Sequence, residues 1–181
     1  MTLTYKLEAT DYLQYYLYDA SKSESTKKRQ RQSWLLTSVC CLPFAFLFYL
    51  DHDWIPVISL SIFSLGTFIF YPSYQRNKYA SDYLRQISET HKNRFGQLST
   101  IRLLDNQIEC IDFTGETKIN WTSIAKIIET GHYIYLAVQT GGHLIIPKDR
   151  IDDLPALRKT LIQASERLSI SYETELDWKW K

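Results

Sequence analysis

Two long uncharged runs interrupt an otherwise polar chain. Residues 33–50, SWLLTSVCCLPFAFLFYL, and residues 54–71, WIPVISLSIFSLGTFIFY, contain no Asp, Glu, Lys or Arg. Each run is 18 residues long. As an α-helix that is about 27 Å at about 1.5 Å per residue, against a hydrocarbon core about 30 Å thick. Each is just long enough to cross a bilayer. Their polar positions (Thr37, Ser38, Ser59, Ser61, Ser64, Thr67) are small and scattered, whereas a helix of a soluble domain carries a polar stripe. Asp51-His52-Asp53 separates the runs, and two carboxylates at the bilayer centre are costly, so the chain is expected to turn there at an interface. The pattern predicts a transmembrane hairpin over residues 33–71. A paired run beginning at residue 33 does not fit a cleaved signal peptide.

Around the hairpin the periods change. Residues 2–7 alternate Leu3, Tyr5 and Leu7 with polar positions, as a strand does. Thr10 is a candidate N-cap for a helix running to about Arg31, with Leu13, Leu17 and Ala20 on one side and Tyr12, Tyr15, Tyr16 and Tyr18 over a wider arc. That aromatic arc suits packing on a domain or lying near headgroups. Pro43 is expected to bend the first span, and Gly66 with Ser59 or Thr67 offers a close helix approach. Residues 73–93 read as a helix after Pro72, with Tyr79, Ala80, Tyr83, Leu84 and Ile87 at three- and four-residue spacings and Gly96 as a stop. From residue 98 the period is two. Strands are predicted over 99–104, 107–113, 116–121, 124–129, 133–138 and 143–146, with turns at Asp105-Asn106, Thr114-Gly115 and Gly141-Gly142. Asp153 then caps a helix whose Leu154, Leu157, Leu161, Ala164 and Leu168 form one apolar stripe. This gives an antiparallel meander covered by a C-terminal helix, an architecture analogous to pleckstrin-homology (PH)-like domains. The fold class is a membrane α+β protein. Its expected parts are residues 1–32 (strand and amphipathic helix), 33–71 (hairpin), 72–94 (connecting helix), 95–170 (PH-like domain) and 171–181 (tail).

Charge sets the orientation. Lys22, Lys27, Lys28, Arg29 and Arg31 precede the first run; Arg76, Lys78, Arg85, Lys92 and Arg94 follow the second; the turn between has neither Lys nor Arg. The positive-inside rule then puts both termini in the cytoplasm. Trp34, Tyr49, Trp54 and Tyr71 stand at the four ends of the runs, where amphipathic rings favour the interface. The basic segment 22–31 has two readings, binding of anionic lipid or topology alone. The candidate membrane-interface residues are Lys27, Lys28, Arg29, Arg31, Trp34, Trp54, Arg76, Lys78, Trp178 and Trp180. In the last pair, Trp alternating with Lys suits a headgroup layer, against the plain alternative of a disordered tail. A net charge of +1 argues against nucleic acid as a bulk partner. Mean hydropathy is only −0.26 because most of the chain lies outside the two runs.

No chemistry-bearing constellation emerges. Cys40 and Cys41 lie within the first run and Cys110 in a predicted strand, so no disulfide is expected. His52 between two aspartates lacks further ligands for a closed metal site, His91, His132 and His143 are scattered, and Gly141-Gly142 is not followed by the Lys-Ser/Thr of a phosphate loop. Trp121 is read as a core anchor. No catalytic residue, cofactor or metal is expected.

Taken together, YKLEATDYLQYYLYDASKS (5–23), YPSYQRNKY (71–79), NRFGQLSTIRLLDNQIEC (93–110), TGETKINWTSIAKIIETGHYIYL (114–136) and IIPKDRI (145–151) resemble the YcxB-like family of small bacterial membrane proteins. The resemblance covers nearly the whole chain except its last residues, from Asp177. It implies an inner-membrane location and a PH-like cytoplasmic domain, and it carries over no functional site. The expected function is that of a membrane-anchored, non-enzymatic interaction module whose domain binds a protein, a peptide or lipid headgroups. The alternative is an oligomeric membrane sensor or assembly subunit. Expected partners are membrane lipids and either a protein partner or further copies of the chain.

Overall fold

The computed structural model describes residues 1–90, 95–113 and 115–180; His91, Lys92, Asn93, Arg94, Thr114 and Lys181, used in the sequence reading, lie outside them. The chain has two units. One comprises Met1–Tyr15 with Leu84–Lys179, the other Tyr16–Tyr83 with Trp180–Lys181.

The first unit holds two four-stranded sheets rather than one meander. β1 (Thr2–Lys6), β2 (Leu98–Leu103), β3 (Gln107–Asp112) and β4 (Gly115–Asn120) form an antiparallel sheet in that order. The N-terminal strand is therefore part of this sheet: Leu3 faces Ile101 and Tyr5 faces Ser99 across it. In the second sheet the order is β7 (His143–Pro147), β6 (Tyr133–Val138), β5 (Ile124–Thr130), β8 (Ser171–Glu175). β8 lies parallel to β5, so the expected tail from residue 171 begins with a paired strand. Gly141 and Gly142, with φ of 91° and 96°, close the β6–β7 hairpin that the glycine pair predicted.

The inner faces carry the alternating residues Leu3, Ile101, Leu103, Ile108, Ile127, Ile134, Leu136 and Ile146 into one core. A register shift at Ile124/Lys126 in β5 interrupts its alternation. Trp121 is buried as expected, but in a 3₁₀ turn (Trp121–Ser123) rather than a strand, its indole N–H donating to the Leu104 carbonyl at 2.8 Å. α5 (Leu154–Leu168) buries Leu157, Leu161 and Ala164 in the same core. Asp153 caps it, accepting from the Ala156 N–H at 2.9 Å. The outer face of the second sheet is covered too: Tyr15 packs edge-on against Tyr135, which stacks on Tyr133.

The helices differ from expectation in four places. α1 (Ala9–Lys22) starts one residue before Thr10; Glu8 is its cap position, and the Asp11 carboxylate reaches back to the Glu8 N–H at 2.7 Å. It also stops early, because Ser23 caps a new helix, α2 (Glu24–Val39), through the Thr26 N–H. α2 ends at Val39, whose carbonyl is the one a proline at position 43 excludes; after Cys40-Cys41, α3 (Leu42–Leu50) resumes with Pro43 in its first turn. The first run is thus two helices. By contrast α4 (Trp54–Thr90) passes through Pro72 unbroken, so no separate connecting helix begins at residue 73. Between α3 and α4, His52 takes φ 65° while the Asp53 N–H closes on the Phe48 carbonyl, giving the predicted turn.

Candidate functional site

In the second unit the uncharged runs form helices with their apolar side chains outward. Leu36, Phe46, Leu50, Ile55, Ile62, Leu65 and Phe70 are among many exposed large residues. The most apolar windows of Glu24–Leu50 and Trp54–Thr90 are only 11 % and 0 % buried, so neither is the sequestered helix of a soluble core. Both are long and apolar enough to cross a membrane. The scattered hydroxyls bond internally: Thr37 to the Ser33 carbonyl, Ser59 to that of Ile55, Ser61 to that of Val57 and Thr67 to that of Ser64. Close approach comes not at Gly66, which has open space beside it, but where Ser64 Oγ donates to the Ser38 carbonyl at 2.5 Å.

The candidate interface residues fall at ordered levels. Trp34 lies against Phe68, ring centroids 4.6 Å apart, and its indole N–H donates to the Phe68 carbonyl at 3.0 Å. That carbonyl is the helical acceptor that Pro72, lacking an N–H, leaves unused. Further along both helices Gln75 reaches the Gln30 carbonyl at 3.5 Å, and the Arg29 guanidinium lies over the Tyr79 ring at 5.9 Å. At the same level the Trp180 indole N–H donates to the Arg76 carbonyl at 3.4 Å. Lys27, Lys28, Arg31 and Lys78 are exposed on these helices. At the hairpin's other end Trp54 packs edge-on against Tyr49. Trp178 belongs to the first unit and Trp180 to the second. The tyrosine arc of α1 packs on protein in part: Tyr16 stacks on Tyr83.

Two buried ionic groups in the first unit went unread in the sequence. Glu129, 4 % exposed, receives Lys148 Nζ at 2.5 Å, Arg158 Nη2 at 2.6 Å and the Tyr172 hydroxyl at 2.6 Å. Burial alone pushes its carboxyl up, but the bonds from Lys148, Tyr172 and Arg158 outweigh it and bring the pKa down to about 2. Asp11, 2 % exposed, receives Arg150 Nη1 at 2.8 Å and the Tyr133 hydroxyl at 2.9 Å, while Arg150 also donates to the Lys6 carbonyl. Lys148 and Arg150 flank Asp149 on one 3₁₀ turn (Lys148–Arg150) and reach different carboxylates. The sequence signal was the Lys148-Asp149-Arg150 triplet after β7, but nothing local marks its partners.

A cleft of about 150 Å³ opens between β2, β3 and β7, lined by Cys110, Asp112 and His143 among others. Burial, then the Asp112 charge, pushes the Cys110 thiol up to about 11, which leaves it protonated and weakly nucleophilic near neutral pH. Among the described residues no group of three or more His, Cys, Asp or Glu is placed to hold a metal ion.

No curated protein and no solved structure matches the chain. Residues 103–161, from the last residue of β2 into α5, do match a family model, that of the YcxB-like protein. That segment, which holds β3 to β7 and the start of α5, is where the chain is similar to the YcxB-like family.

Proposed function

We propose that the chain is a bacterial inner-membrane protein whose α2–α4 hairpin crosses the bilayer with both termini cytoplasmic. In this reading the β-rich unit is a PH-like, non-enzymatic interaction module that binds a protein, a peptide or lipid headgroups at the membrane surface. The observation that carries the reading is the outward apolar surface of both long helices. Monomeric soluble proteins seldom expose contiguous apolar patches beyond a few hundred Å², and two adjacent helices of this length exceed that. The basic residues at 27–31 and 76–78, with none in the 51–53 turn, support the orientation. Two four-stranded sheets plugged by α5 support the PH-like comparison, with the parallel β8 as an addition to that plan. Tethering raises effective concentration, so a weak module can act there.

The test is a pair of C-terminal reporters, one active only in the cytoplasm and one only outside it, joined to carbonate extraction of membranes. Cytoplasmic activity with retention in the extracted membrane is the expected result. An external C-terminus, or release of the chain without detergent, overturns the reading. Affinity purification in mild detergent then separates a module, which retrieves a distinct protein, from the oligomeric alternative. The latter is favoured by a concave apolar face on α4 around Gly66, bordered by Phe63, Phe70 and Tyr74.

A further inference from the structure

We infer that the charged ends of α2 and α4, together with Trp180, form a binding site for the headgroup of an anionic phospholipid. The inference rests on the membrane reading above and adds a partner and its residues. Three cross-helix pairs run outward in step: Trp34 with Phe68, Gln30 with Gln75, and Arg29 with Tyr79. Trp34 marks the edge of the uncharged surface. Arg29 lies five residues beyond it, about 7 Å along the helix. The headgroup layer occupies roughly 5–8 Å on each side of the hydrocarbon, so Arg29 sits at phosphate depth. Arg76 stands at the same level, since Gln75 beside it pairs with Gln30. The Trp180 indole closes the level by its bond to the Arg76 carbonyl.

The charge is one-sided. From Ser25 to Ser81 the chain carries six cations, Lys27, Lys28, Arg29, Arg31, Arg76 and Lys78, and its only carboxylates there, Asp51 and Asp53, are in the turn at the hairpin's far end. None of the six forms an ion pair among the described residues. A guanidinium meets a phosphate with a two-pronged set of donors, and the Arg29 guanidinium, 5.9 Å from the Tyr79 ring centroid, belongs to an exposed side chain. A phosphodiester with net negative charge fits this set. A zwitterionic headgroup brings its own ammonium and gains less.

The full-length protein is reconstituted into nanodiscs of phosphatidylcholine mixed with phosphatidylglycerol, and the lipids it retains on release are counted by native mass spectrometry. Phosphatidylglycerol is expected in excess over its share of the disc. Arg29→Gln with Arg76→Gln should cut that excess by about tenfold, Trp180→Ala should cut it less, and Lys159→Gln on α5 should leave it unchanged. Equal retention of the two lipids, or a preference that survives the double substitution, overturns the site while leaving the membrane reading intact. Failure of the wild-type chain to enter discs at all overturns both.

Discussion

At the scale of single residues, Glu129 shows what holds a charge inside this fold. Three donors from three different elements converge on it, so its carboxylate is more stable in the folded state than in water. A pKa lowered from 4.5 to about 2 is worth about 3 kcal/mol. The sign follows from the direction: the contribution is full above the unfolded value near 4.5 and drains away as pH falls toward 2. Thermal melts of the full chain in detergent should therefore drop across that window. Glu129→Gln removes the anion but leaves Lys148 buried, so at neutral pH it should cost about 3–5 kcal/mol. The gap between mutant and wild type should narrow steadily below pH 4.5. A gap independent of pH would mean that packing, not charge, is what the mutation removes. Asp11→Asn is the companion case. It weakens the Arg150 and Tyr133 bonds and should cost about 2 kcal/mol in the same melts.

At the scale of elements, Pro43 within the first uncharged run and Pro72 just after the second behave differently because of what stands near the carbonyl each one strands. Pro43 coincides with a break, α2 ending at Val39. Pro72 does not break α4, and the carbonyl it orphans, that of Phe68, takes its hydrogen from Trp34. On the membrane reading proposed above, no water is at hand to replace that donor. Trp34→Phe keeps the ring contact and loses the bond, with an expected cost of about 1 kcal/mol. Pro72→Ala restores the helix's own N–H, so the same Trp34→Phe change should cost little in that background. A double-mutant cycle on unfolding in mixed micelles measures the coupling directly, and additive effects would show that the indole bond and the proline are unrelated. The early end of α1 has the same local origin, since the hydroxyl of Ser23 offers α2 a cap that continuing the first helix would forgo.

At the scale of the whole molecule, what was legible in the sequence was whatever repeats locally. The uncharged runs, the alternation of Ile134, Leu136 and Val138, and the stripe Leu157-Leu161-Ala164 each bury or expose the face their period predicts. The pairing of β1 with β2 joins residues nearly a hundred positions apart, and the carboxylate clusters draw donors from distant segments, so neither leaves a periodic trace. β8 was hidden for a further reason. Its SYETE has only one apolar position, and its partner β5 lies two strands and a helix earlier. Yet β8 covers one edge of β5, which carries Ile127 and Ile128 at the centre of the sheet. The chain just after it passes Gly131 so closely that a Cβ there would stand 2.9 Å from the Leu176 carbonyl. Residues 171–177 are therefore part of the folded unit. A chain ended after Ile170 should lose the β5 edge, melt at least 10 °C lower, which for a domain of this size is about 2 kcal/mol or more, and become prone to edge pairing. A chain ended after Asp177 should melt like the full protein, and Gly131→Ala should fall between the two. If both truncations melt together, β8 contributes nothing to the sheet, and the boundary drawn from periodicity alone at residue 170 was the better one.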